Sequence, residues 1–392
     1  MDPRRNPYAP GAGTPPPELA GRDELIERGA VALDRIRLGR SNRSFVFYGL
    51  RGVGKTVLLN RIQRDAEARG LVTVKMEAPE GRSLPGLLVP NLRTLLLRLS
   101  SARRLKTGAS RALRALAGFV RALKVKYADI ELGLEYEPDP GIADSGDLET
   151  DLAALFLSIG SAAAEQDTAA VLFIDELQYV PEEQLGALIA AVHNASQSQV
   201  PITMVAAGLP QLVGLTGRAK TYAERLFEFA PVGPLDAVSA RTALCVPAEQ
   251  EHATFEDGAI AEILRQTSCY PYFLQEWGKH SWNTAAASPI GQTDAQRATL
   301  LALAELDAGF FRVRFDRLTP SEKRYLRAMA ELGAGPHRSG DIAEVLQRRV
   351  TAVAPTRSGL IAKGMIYSPA HGDTAFTVPL FDGFMKRTMP EL

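Results

Sequence analysis

Apolar positions in the N-terminal part of the chain follow two alternating patterns. Three short apolar runs, SFVFYG, AAVLFIDELQYV and VPITMVAAGLP, predict buried strands, and LVTVKMEA alternates apolar and polar residues as a further strand. Between them apolar residues recur at helical spacing, as in GKTVLLNRIQRDAEARG and PEEQLGALIAAVHNASQSQ. Because strands that alternate with helices are typical of a parallel sheet, the pattern predicts an α/β fold.

The pattern changes twice further along the chain. One region shows helical periodicity only, and the last region predicts short helices followed by a hairpin. Thr319 is the expected N-cap of the first of these short helices. The predicted divisions are a Pro-rich arm (1–20), an α/β core (21–234), a helical domain (235–308) and a C-terminal domain (309–392).

Two blocks of charge interrupt the predicted core. Residues 98–126 hold nine Lys and Arg residues and no acidic residue, whereas residues 129–151 hold nine Asp and Glu residues and no basic residue. Two interpretations of this insertion, at about 98–151, stay open. Its two arms attract each other or are simply solvated, or its basic helix contacts nucleic acid. In both cases we expect the segment to be mobile.

Composition argues against a membrane or secreted protein but does not indicate a function. The chain carries 45 Lys and Arg residues and 45 Asp and Glu residues, so net charge does not indicate a nucleic-acid partner. The two cysteines form no disulfide or metal-ligand pattern. No apolar run is long enough to span a membrane, and the N-terminus lacks the apolar stretch of a signal peptide. A cytoplasmic protein without a membrane partner is therefore expected.

The turn after the first predicted strand carries the clearest chemical signal. Its sequence GLRGVGKT fits the pattern G-x-x-x-x-G-K-[ST] and lies between a strand and a helix. Glycines let backbone N–H groups surround phosphates, and the helix adds the positive end of its dipole. We expect Lys55 to contact the β- and γ-phosphates of ATP and Thr56 to bind Mg²⁺. The residues expected to bind ATP or ADP here are Gly49, Leu50, Arg51, Gly52, Val53, Gly54, Lys55, Thr56 and Val57.

A second acidic signal follows the third predicted strand. In VLFIDE, Asp175 and Glu176 come directly after four apolar residues, at the strand end where α/β sheets bind ligands. Asp175 is the expected second Mg²⁺ ligand. Glu176 is the expected group that orients or deprotonates the attacking water. The alternative is an acidic pair that merely begins a loop.

Together these two motifs resemble those of AAA+-like P-loop ATPases, in the branch of archaeal ATPases, origin-recognition initiators and STAND switches. The resemblance extends over about residues 15–285 through LAGRDEL (19–25), YAERLFEFAPVGPLD (222–236) and TSCYPYFLQEWG (267–278). It implies a P-loop core followed by a helical lid, which would be the helical domain (235–308).

The resemblance also implies roles for single residues. Gly21 and Arg22 would lie near the adenine, and Pro271 would contact the base or fix the lid against it. Arg225 would be an arginine finger or sensor that faces the γ-phosphate across a subunit interface, unless it is an ordinary surface arginine.

Two positions depart from the family pattern. Cys269 replaces the usual glycine of the lid motif, and the strand expected to end in a polar sensor residue is apolar, with Ala206 and Ala207. Only Thr203, earlier in that strand, is polar. We therefore expect ATP to bind but to be hydrolysed slowly, as in a switch.

The order of three helices and a hairpin in the C-terminal domain resembles the winged-helix domain of origin-recognition initiators. Residues 310–392 carry 13 Lys and Arg residues against 8 Asp and Glu residues, a modest excess. Cations on a helix bind DNA phosphates and base edges, so contact with double-stranded DNA is expected. The alternative is a protein or intramolecular contact, because STAND switches use a similar domain to clamp nucleotide or to contact partners. The expected DNA-binding residues are Arg348, Arg349, Arg357, Lys363 and His371.

Two functions of different class follow. In the first, the nucleotide state of a DNA-binding ATPase controls the winged helix or its assembly with other subunits. In the second, a STAND-type switch acts on protein partners without DNA. Because the sequence ends at Leu392, directly after the hairpin, no repeat-rich sensor is expected, which favours DNA, a homo-oligomer or a separately encoded partner.

Overall fold

A five-stranded parallel sheet forms the centre of the core in the computed structural model, which describes residues 1–11, 13–101, 107–130 and 136–391. Its strands lie in the order β2-β3-β4-β1-β5. All six residues of β3 and all seven of β4 are buried, as expected for strands covered by helices on both faces. The strands are β1 (Ser44–Tyr48), β2 (Val72–Glu77), β3 (Ala170–Asp175), β4 (Ile202–Gly208) and β5 (Phe227–Pro231).

Helices cover both faces of this sheet. Along β1, Val46 packs on one side, whereas Phe45 and Phe47 pack on the other, because side chains of a strand alternate between faces. The four predicted strands are confirmed, and β5 is a fifth. The helices of the core are α1 (Asp23–Arg37), α2 (Lys55–Ala68), α3 (Leu84–Ser101), α4 (Thr107–Leu123), α5 (Leu148–Glu165), α6 (Glu182–Gln197), α7 (Gln211–Ala219) and α8 (Ala223–Leu226).

The described part of the charged insertion is packed, which corrects the expected mobile segment. Helix α4 buries its apolar side, with Leu116 and Phe119 fully buried. One ion pair joins the two blocks, from Arg114 Nε to Asp139 Oδ1 at 2.8 Å. The rest of the two blocks includes residues 102–106 and 131–135, which lie outside the described residues.

A bundle of four helices follows β5 and carries the N-terminal arm on its surface. Within the arm, the Tyr8 hydroxyl donates to the carbonyl of Leu244, and Trp282 Nε1 donates to the carbonyl of Asp2 at 2.9 Å. The arm contains one 3₁₀ turn, Pro3–Arg5, in place of a fully extended course. The bundle helices are α9 (Ala237–Gln250), α10 (Asp257–Thr267), α11 (Pro271–Thr284) and α12 (Gln292–Leu306).

The C-terminal domain contains a three-stranded antiparallel sheet in the order β6-β8-β7. Thr319 caps α14 in a capping box with Glu322, as its sequence predicts. A helical run from α12 through a π-helical turn (Asp307–Phe311) leads into α13 without a break, so the predicted boundary at 308/309 falls inside it. The helices are α13 (Arg312–Asp316), α14 (Pro320–Leu332), α15 (Ser339–Val345), α16 (Val350–Ala362) and α17 (Phe381–Thr388). The strands are β6 (His337–Arg338), β7 (Ile366–Tyr367) and β8 (Asp373–Phe376).

The predicted order of helices followed by the β7–β8 hairpin is observed, whereas β6 and α17 were not predicted. Assignment of this domain to the winged-helix class stays a prediction. Among the described residues, no helix has the length and apolar character needed to cross a membrane.

Candidate nucleotide-binding site

The loop between β1 and α2 has the backbone geometry that phosphate binding requires. Gly52 and Gly54 have φ angles of +82° and +89°, which favour glycine. A Cβ on Gly49 would lie 2.0 Å from the carbonyl oxygen of Val232, so a side chain is excluded there. The loop therefore presents bare backbone at the start of α2, where N–H groups are free to bind an anion.

Lys55 lies beneath this loop and is almost fully buried. Its Nζ donates to the carbonyls of Gly49 and Leu50, each at 2.9 Å. Burial lowers the pKa of the Lys55 ammonium to about 8, although the charges of Glu176 and Asp175 oppose this shift. The ammonium is thus charged at neutral pH and poorly solvated, which suits it to a phosphate ligand.

Thr56 and Asp175 meet across the site. The Thr56 hydroxyl donates to Asp175 Oδ2 at 2.6 Å, which joins the start of α2 to the end of β3. Glu77 ends the neighbouring strand in register with Asp175 and also lines the cleft. Hydroxyl and carboxylate oxygens are the donor set that Mg²⁺ prefers, so Thr56 and Asp175 fit the expected metal role.

Glu176 is in contact with two neighbouring side chains. Its φ angle of +53° is unusual for a residue with a side chain, and such strained backbone recurs at functional sites. Arg51 Nη1 lies 3.5 Å from Glu176 Oε1, and Gln178 Nε2 donates to Glu176 Oε2. Arg51 and Gln178 therefore fix the orientation of the Glu176 carboxylate beside the cavity.

The end of β4 offers no polar side chain to the site. Thr203 lies near the start of the strand, where its hydroxyl bonds Ser44 Oγ at 2.9 Å, far from the loop that follows β1. Gln178 instead reaches this edge, and its Oε1 accepts from the backbone N–H of Leu209 at 3.0 Å. Sequence reasoning missed Gln178, although its position two residues after Glu176 is a usable signal.

A cavity of about 470 Å³ opens over the loop, within the usual range of ligand sites. The arm, the loop, the ends of β2 and β3, the helical domain and α13 all contribute to its wall. Pro271 and residues 51–57 line it as predicted, whereas Gly49 and Leu50 act only through their contacts with Lys55.

Two residues expected near the adenine differ in position. Arg22 lines the cavity, but it is buried, and its guanidinium donates hydrogen bonds to the carbonyls of Val53 and Gly233. Burial lowers the pKa of Arg22. Gly21 lies between two lining residues without lining the cavity itself, and its place near the adenine stays a prediction: its φ is +67°, and a Cβ there would lie 2.6 Å from Ser239 Oγ. It is needed for close packing against α9.

The turn before α11 keeps its shape without glycine. Ser268 and Cys269 have φ angles of +48° and +58°, and the Cys269 carbonyl accepts from the N–H of Leu235 at 3.0 Å. The Tyr272 N–H donates to the carbonyl of Gly52 at 3.1 Å, which fixes α11 against the phosphate-binding loop. Cys269 thus carries backbone strain in a turn that joins the helical domain to the core.

Arg225 does not reach the cavity of its own chain. It is exposed on α8, just before β5 begins, whereas the phosphate-binding loop follows the C-terminal end of the adjacent β1. Because the strands are parallel, Arg225 lies at the opposite edge of the sheet. Its role as an arginine finger for a neighbouring subunit stays a prediction.

The five expected DNA-binding residues divide into two groups. Arg357 donates to Thr374 Oγ1 at 2.9 Å and to Ser368 Oγ at 3.0 Å, and Lys363 Nζ pairs with Glu322 Oε2 at 2.7 Å. These two cations are committed to contacts within the domain, which corrects their predicted availability. The remaining three, Arg348, Arg349 and His371, are exposed.

The C-terminal domain contacts the phosphate-binding loop directly. The backbone N–H of Arg51 donates to the carbonyl of Thr377 at 3.0 Å. Arg51 Nη2 donates to the Tyr179 hydroxyl at 2.8 Å. Gly364, which follows α16, packs against Arg51, Tyr179 and Leu209. Arg51 therefore links the loop, the segment that carries Glu176 and the C-terminal domain.

Comparisons with known proteins agree with this geometry. Residues 18–205 match the family described as the AAA ATPase domain, and residues 308–385 match a domain of unknown function. No curated protein matches the sequence. Residues 18–205 are therefore similar to the AAA ATPase domain, and the chain has an α/β fold with a five-stranded parallel sheet.

Among solved structures, the chain is similar to the Walker-type ATPase PABY2304 of Pyrococcus abyssi, with 16% identity, a TM-score of 0.58 and coverage of 95% of this chain and 97% of that chain. This likeness shows a shared fold across nearly the whole length. The ORC1 protein of Aeropyrum pernix in complex with DNA matches at 14% identity and a TM-score of 0.46, covering 95% and 94% of the two chains. A RuvB structure of Thermotoga maritima matches at 14% identity and a TM-score of 0.45, covering 91% and 93%. The last two scores are too low to inform function.

Proposed function

We propose that this chain is an ATP-binding, slowly hydrolysing switch ATPase whose nucleotide state controls how its C-terminal domain, a winged helix, docks on the phosphate-binding loop. The observation that carries the proposal is the bond from the Arg51 N–H to the Thr377 carbonyl. Arg51 belongs to the loop that would surround the phosphates, so a nucleotide that moves this loop changes the docking contact.

The catalytic groups support ATP as the ligand. Lys55 would neutralise the β- and γ-phosphates, and Thr56 and Asp175 would hold Mg²⁺, which supplies charge stabilisation to the phosphates. Glu176 would orient the attacking water. Slow turnover follows from two features: Glu176 is held by Arg51, and the end of β4 provides no polar side chain.

The direct test is equilibrium binding of labelled ATP and ADP, together with steady-state phosphate release, for the wild type and Lys55→Ala. Loss of a buried charge-assisted contact weakens binding by about 1.5–3 kcal/mol, or at least about tenfold in affinity. Arg64→Ala, an exposed cation on the same helix, is the matched control. Ordinary ATP binding by Lys55→Ala would remove the basis of the proposal.

A second function, contact with double-stranded DNA, is favoured by the exposed cations Arg348 and Arg349, neither of which has an ion-pair partner among the described residues, and by the exposed side chain of His371. Such cations bind phosphates and give affinity that falls steeply with salt. There are two alternatives to DNA contact. One is a STAND-type switch that acts on a protein partner, and the other is a homo-oligomer in which Arg225 acts between subunits.

DNA binding is tested with labelled duplex DNA, without nucleotide, with ADP and with a non-hydrolysable ATP analogue, over a salt series. The double variant Arg348→Glu/Arg349→Glu is expected to weaken binding and flatten the salt dependence. Arg324→Glu/Lys386→Glu, which changes two exposed cations of the same domain elsewhere, controls for net charge. No binding in any nucleotide state would exclude the DNA function and direct the search to a protein partner.

A further inference from the structure

Three side chains that can bind a metal ion converge between α11 and α12 of the helical domain. Glu276 and His280 lie four residues apart on α11, and therefore on one face of that helix. Glu305 meets them from α12. The candidate ligand atoms of these residues all lie within 4.8 Å of one another, and none of the three residues lines the nucleotide-binding cavity. The nucleotide site therefore does not explain this cluster.

The distances within the cluster fit binding to one ion. His280 Nε2 lies 2.9 Å from Glu305 Oε2 and 4.0 Å from Glu276 Oε2. Zinc binds imidazole nitrogen and carboxylate oxygen at about 2.0–2.2 Å, so two ligand atoms of one zinc ion lie at most about 4.4 Å apart. Both distances are below this limit, and the carboxylates of Glu276 and Glu305 reach it with a small side-chain movement.

Two buried polar atoms of the cluster have no hydrogen-bond partner within the part of the chain that the structure describes, and these atoms are His280 Nε2 and Glu276 Oε2. His280 is only 9% exposed and Glu276 only 4% exposed. His280 Nε2 is close to Glu305 Oε2, but the two atoms are not aligned for a hydrogen bond. Because a buried polar atom without a partner is costly, an ion bound by both atoms would remove an unfavourable contribution from the folded state.

The surroundings of the cluster support ligation. The Tyr272 hydroxyl donates to Glu276 Oε1 at 3.1 Å, which orients the carboxylate and leaves Oε2 without a hydrogen bond. Burial, followed by the charge of Lys279, lowers the pKa of His280, and neutral imidazole is the form that binds metal. The Glu305 side chain is half exposed, so the cluster is open to ions from solvent.

Lys279 competes with a metal ion for the two carboxylates. Its Nζ lies 2.6 Å from Glu305 Oε1 and 3.8 Å from Glu276 Oε2. The shorter contact involves Oε1 of Glu305, whereas Oε2 is the oxygen beside His280, so Lys279 leaves that oxygen available. Its positive charge nevertheless repels a second cation. Removal of Lys279 is therefore expected to act in the opposite direction from removal of a ligand.

We propose that Glu276, His280 and Glu305 bind a divalent transition-metal ion, with Zn²⁺ as the ion that they fit, and that this ion joins α11 to α12. Zinc accepts imidazole and carboxylate ligands, and a water molecule would complete a tetrahedral site. Mg²⁺ and Ca²⁺ prefer oxygen ligands alone, so His280 selects against them. The proposal goes beyond the function proposed above and does not depend on it.

The test titrates Zn²⁺ into the intact, nucleotide-free protein by calorimetry, with excess Mg²⁺ present to occupy the expected magnesium site. Mutation of an outer partner of a metal ligand costs at least about tenfold in affinity, so Glu305→Gln and His280→Gln, which remove a ligand, are expected to cost at least as much. Glu249→Gln removes an exposed carboxylate of the same domain and is the matched control. Lys279→Met is expected to tighten binding about twofold to fivefold.

Two further measurements separate lost ligation from lost structure. Zn²⁺ is expected to raise the melting temperature of the wild type but not that of Glu305→Gln, whereas the two proteins are expected to melt at similar temperatures without metal. Co²⁺, a coloured substitute for Zn²⁺, is expected to give the weak visible bands of nitrogen and oxygen ligands. An intense thiolate band would assign the metal to Cys245 or Cys269 and overturn the proposal.

Three calorimetric results would also overturn it. One is no Zn²⁺ binding by the wild type, and the second is equal affinity in the wild type and Glu305→Gln. The third is weaker binding by Lys279→Met, which tests the site even where the buried substitution His280→Gln prevents folding.

Discussion

One added methyl group, in the substitution Gly364→Ala, is expected to weaken the docking of the C-terminal domain on the phosphate-binding loop. Gly364 has a φ of +62°, and a Cβ placed there would lie 3.0 Å from the Tyr179 hydroxyl, 3.1 Å from Leu209 Cδ1 and 3.2 Å from Arg51 Nη2. All three atoms belong to the α/β core. Gly364→Ala therefore inserts a carbon into the contact between the two parts of the chain.

The magnitude has two components. An alanine in the left-handed region costs about 1–2 kcal/mol, and this cost falls on the C-terminal domain whether or not it is docked. Overpacking against the core costs about 1–3 kcal/mol, and this second cost arises only in the docked state. The docking equilibrium is therefore expected to shift by about 5-fold to 150-fold.

Hydrogen exchange of the nucleotide-free protein measures this shift at the Arg51 amide, which is protected by the Thr377 carbonyl. Gly372→Ala is the matched control, because Gly372 also has a positive φ, +81°, but a Cβ there would meet no atom within 4 Å. Faster exchange at Arg51 in Gly364→Ala alone is the expected result. Equal exchange in the two variants would refute docking through Gly364.

Three further predictions concern the site and its turn. Glu176→Gln is expected to leave ATP affinity unchanged and to lower turnover at least about tenfold, measured by phosphate release, and unchanged turnover would exclude Glu176 as the water-orienting group. Because the pKa of Lys55 is about 8, its ammonium loses its charge between about pH 7 and about pH 9. The affinity for ATP in excess Mg²⁺, measured by calorimetry, is therefore expected to fall about tenfold over this range. No decrease in affinity would contradict a phosphate contact by Lys55. Cys269→Gly is expected to raise the free energy of unfolding by about 1 kcal/mol, because Cys269 has a φ of +58° that glycine adopts without strain. The melting temperature is then higher than that of the wild type. A lower melting temperature would show that packing of the Cys269 side chain outweighs the backbone strain.

The phosphate site was predictable because its chemistry is local in sequence. Gly54, Lys55 and Thr56 are consecutive, and Asp175 directly ends an apolar strand, so spacing alone places them at one sheet edge. Four of the five strands were predictable for the same reason, since each is a short run with an apolar or alternating pattern. These features depend on neighbours a few residues apart, which a pattern captures.

The docking contact was not predictable, because its two sides lie far apart in the chain. Nothing in the sequence around Arg51 or Thr377 indicates that their backbones meet. Arg314 of α13 was missed for a related reason, since no local pattern shows that it lines the cavity.

Charge counts gave the least reliable predictions. Arg357 and Lys363 were expected to be available for DNA, yet partners 17 and 41 residues away hold them. The basic helix α4 was expected to be mobile, but its apolar residues occupy one side and bury against α3 and α5. A count of cations does not say which of them a folded domain leaves free.

If nucleotide state controls docking, the distance between the C-terminal domain and the α/β core changes with the bound nucleotide. Spin labels at exposed Glu183 and His371, in a Cys245→Ala/Cys269→Gly background, report this distance by pulsed electron resonance. With a non-hydrolysable ATP analogue we expect a narrow, short distance, and with ADP a broader and longer distribution. Identical distributions with the analogue, with ADP and without nucleotide would contradict the account.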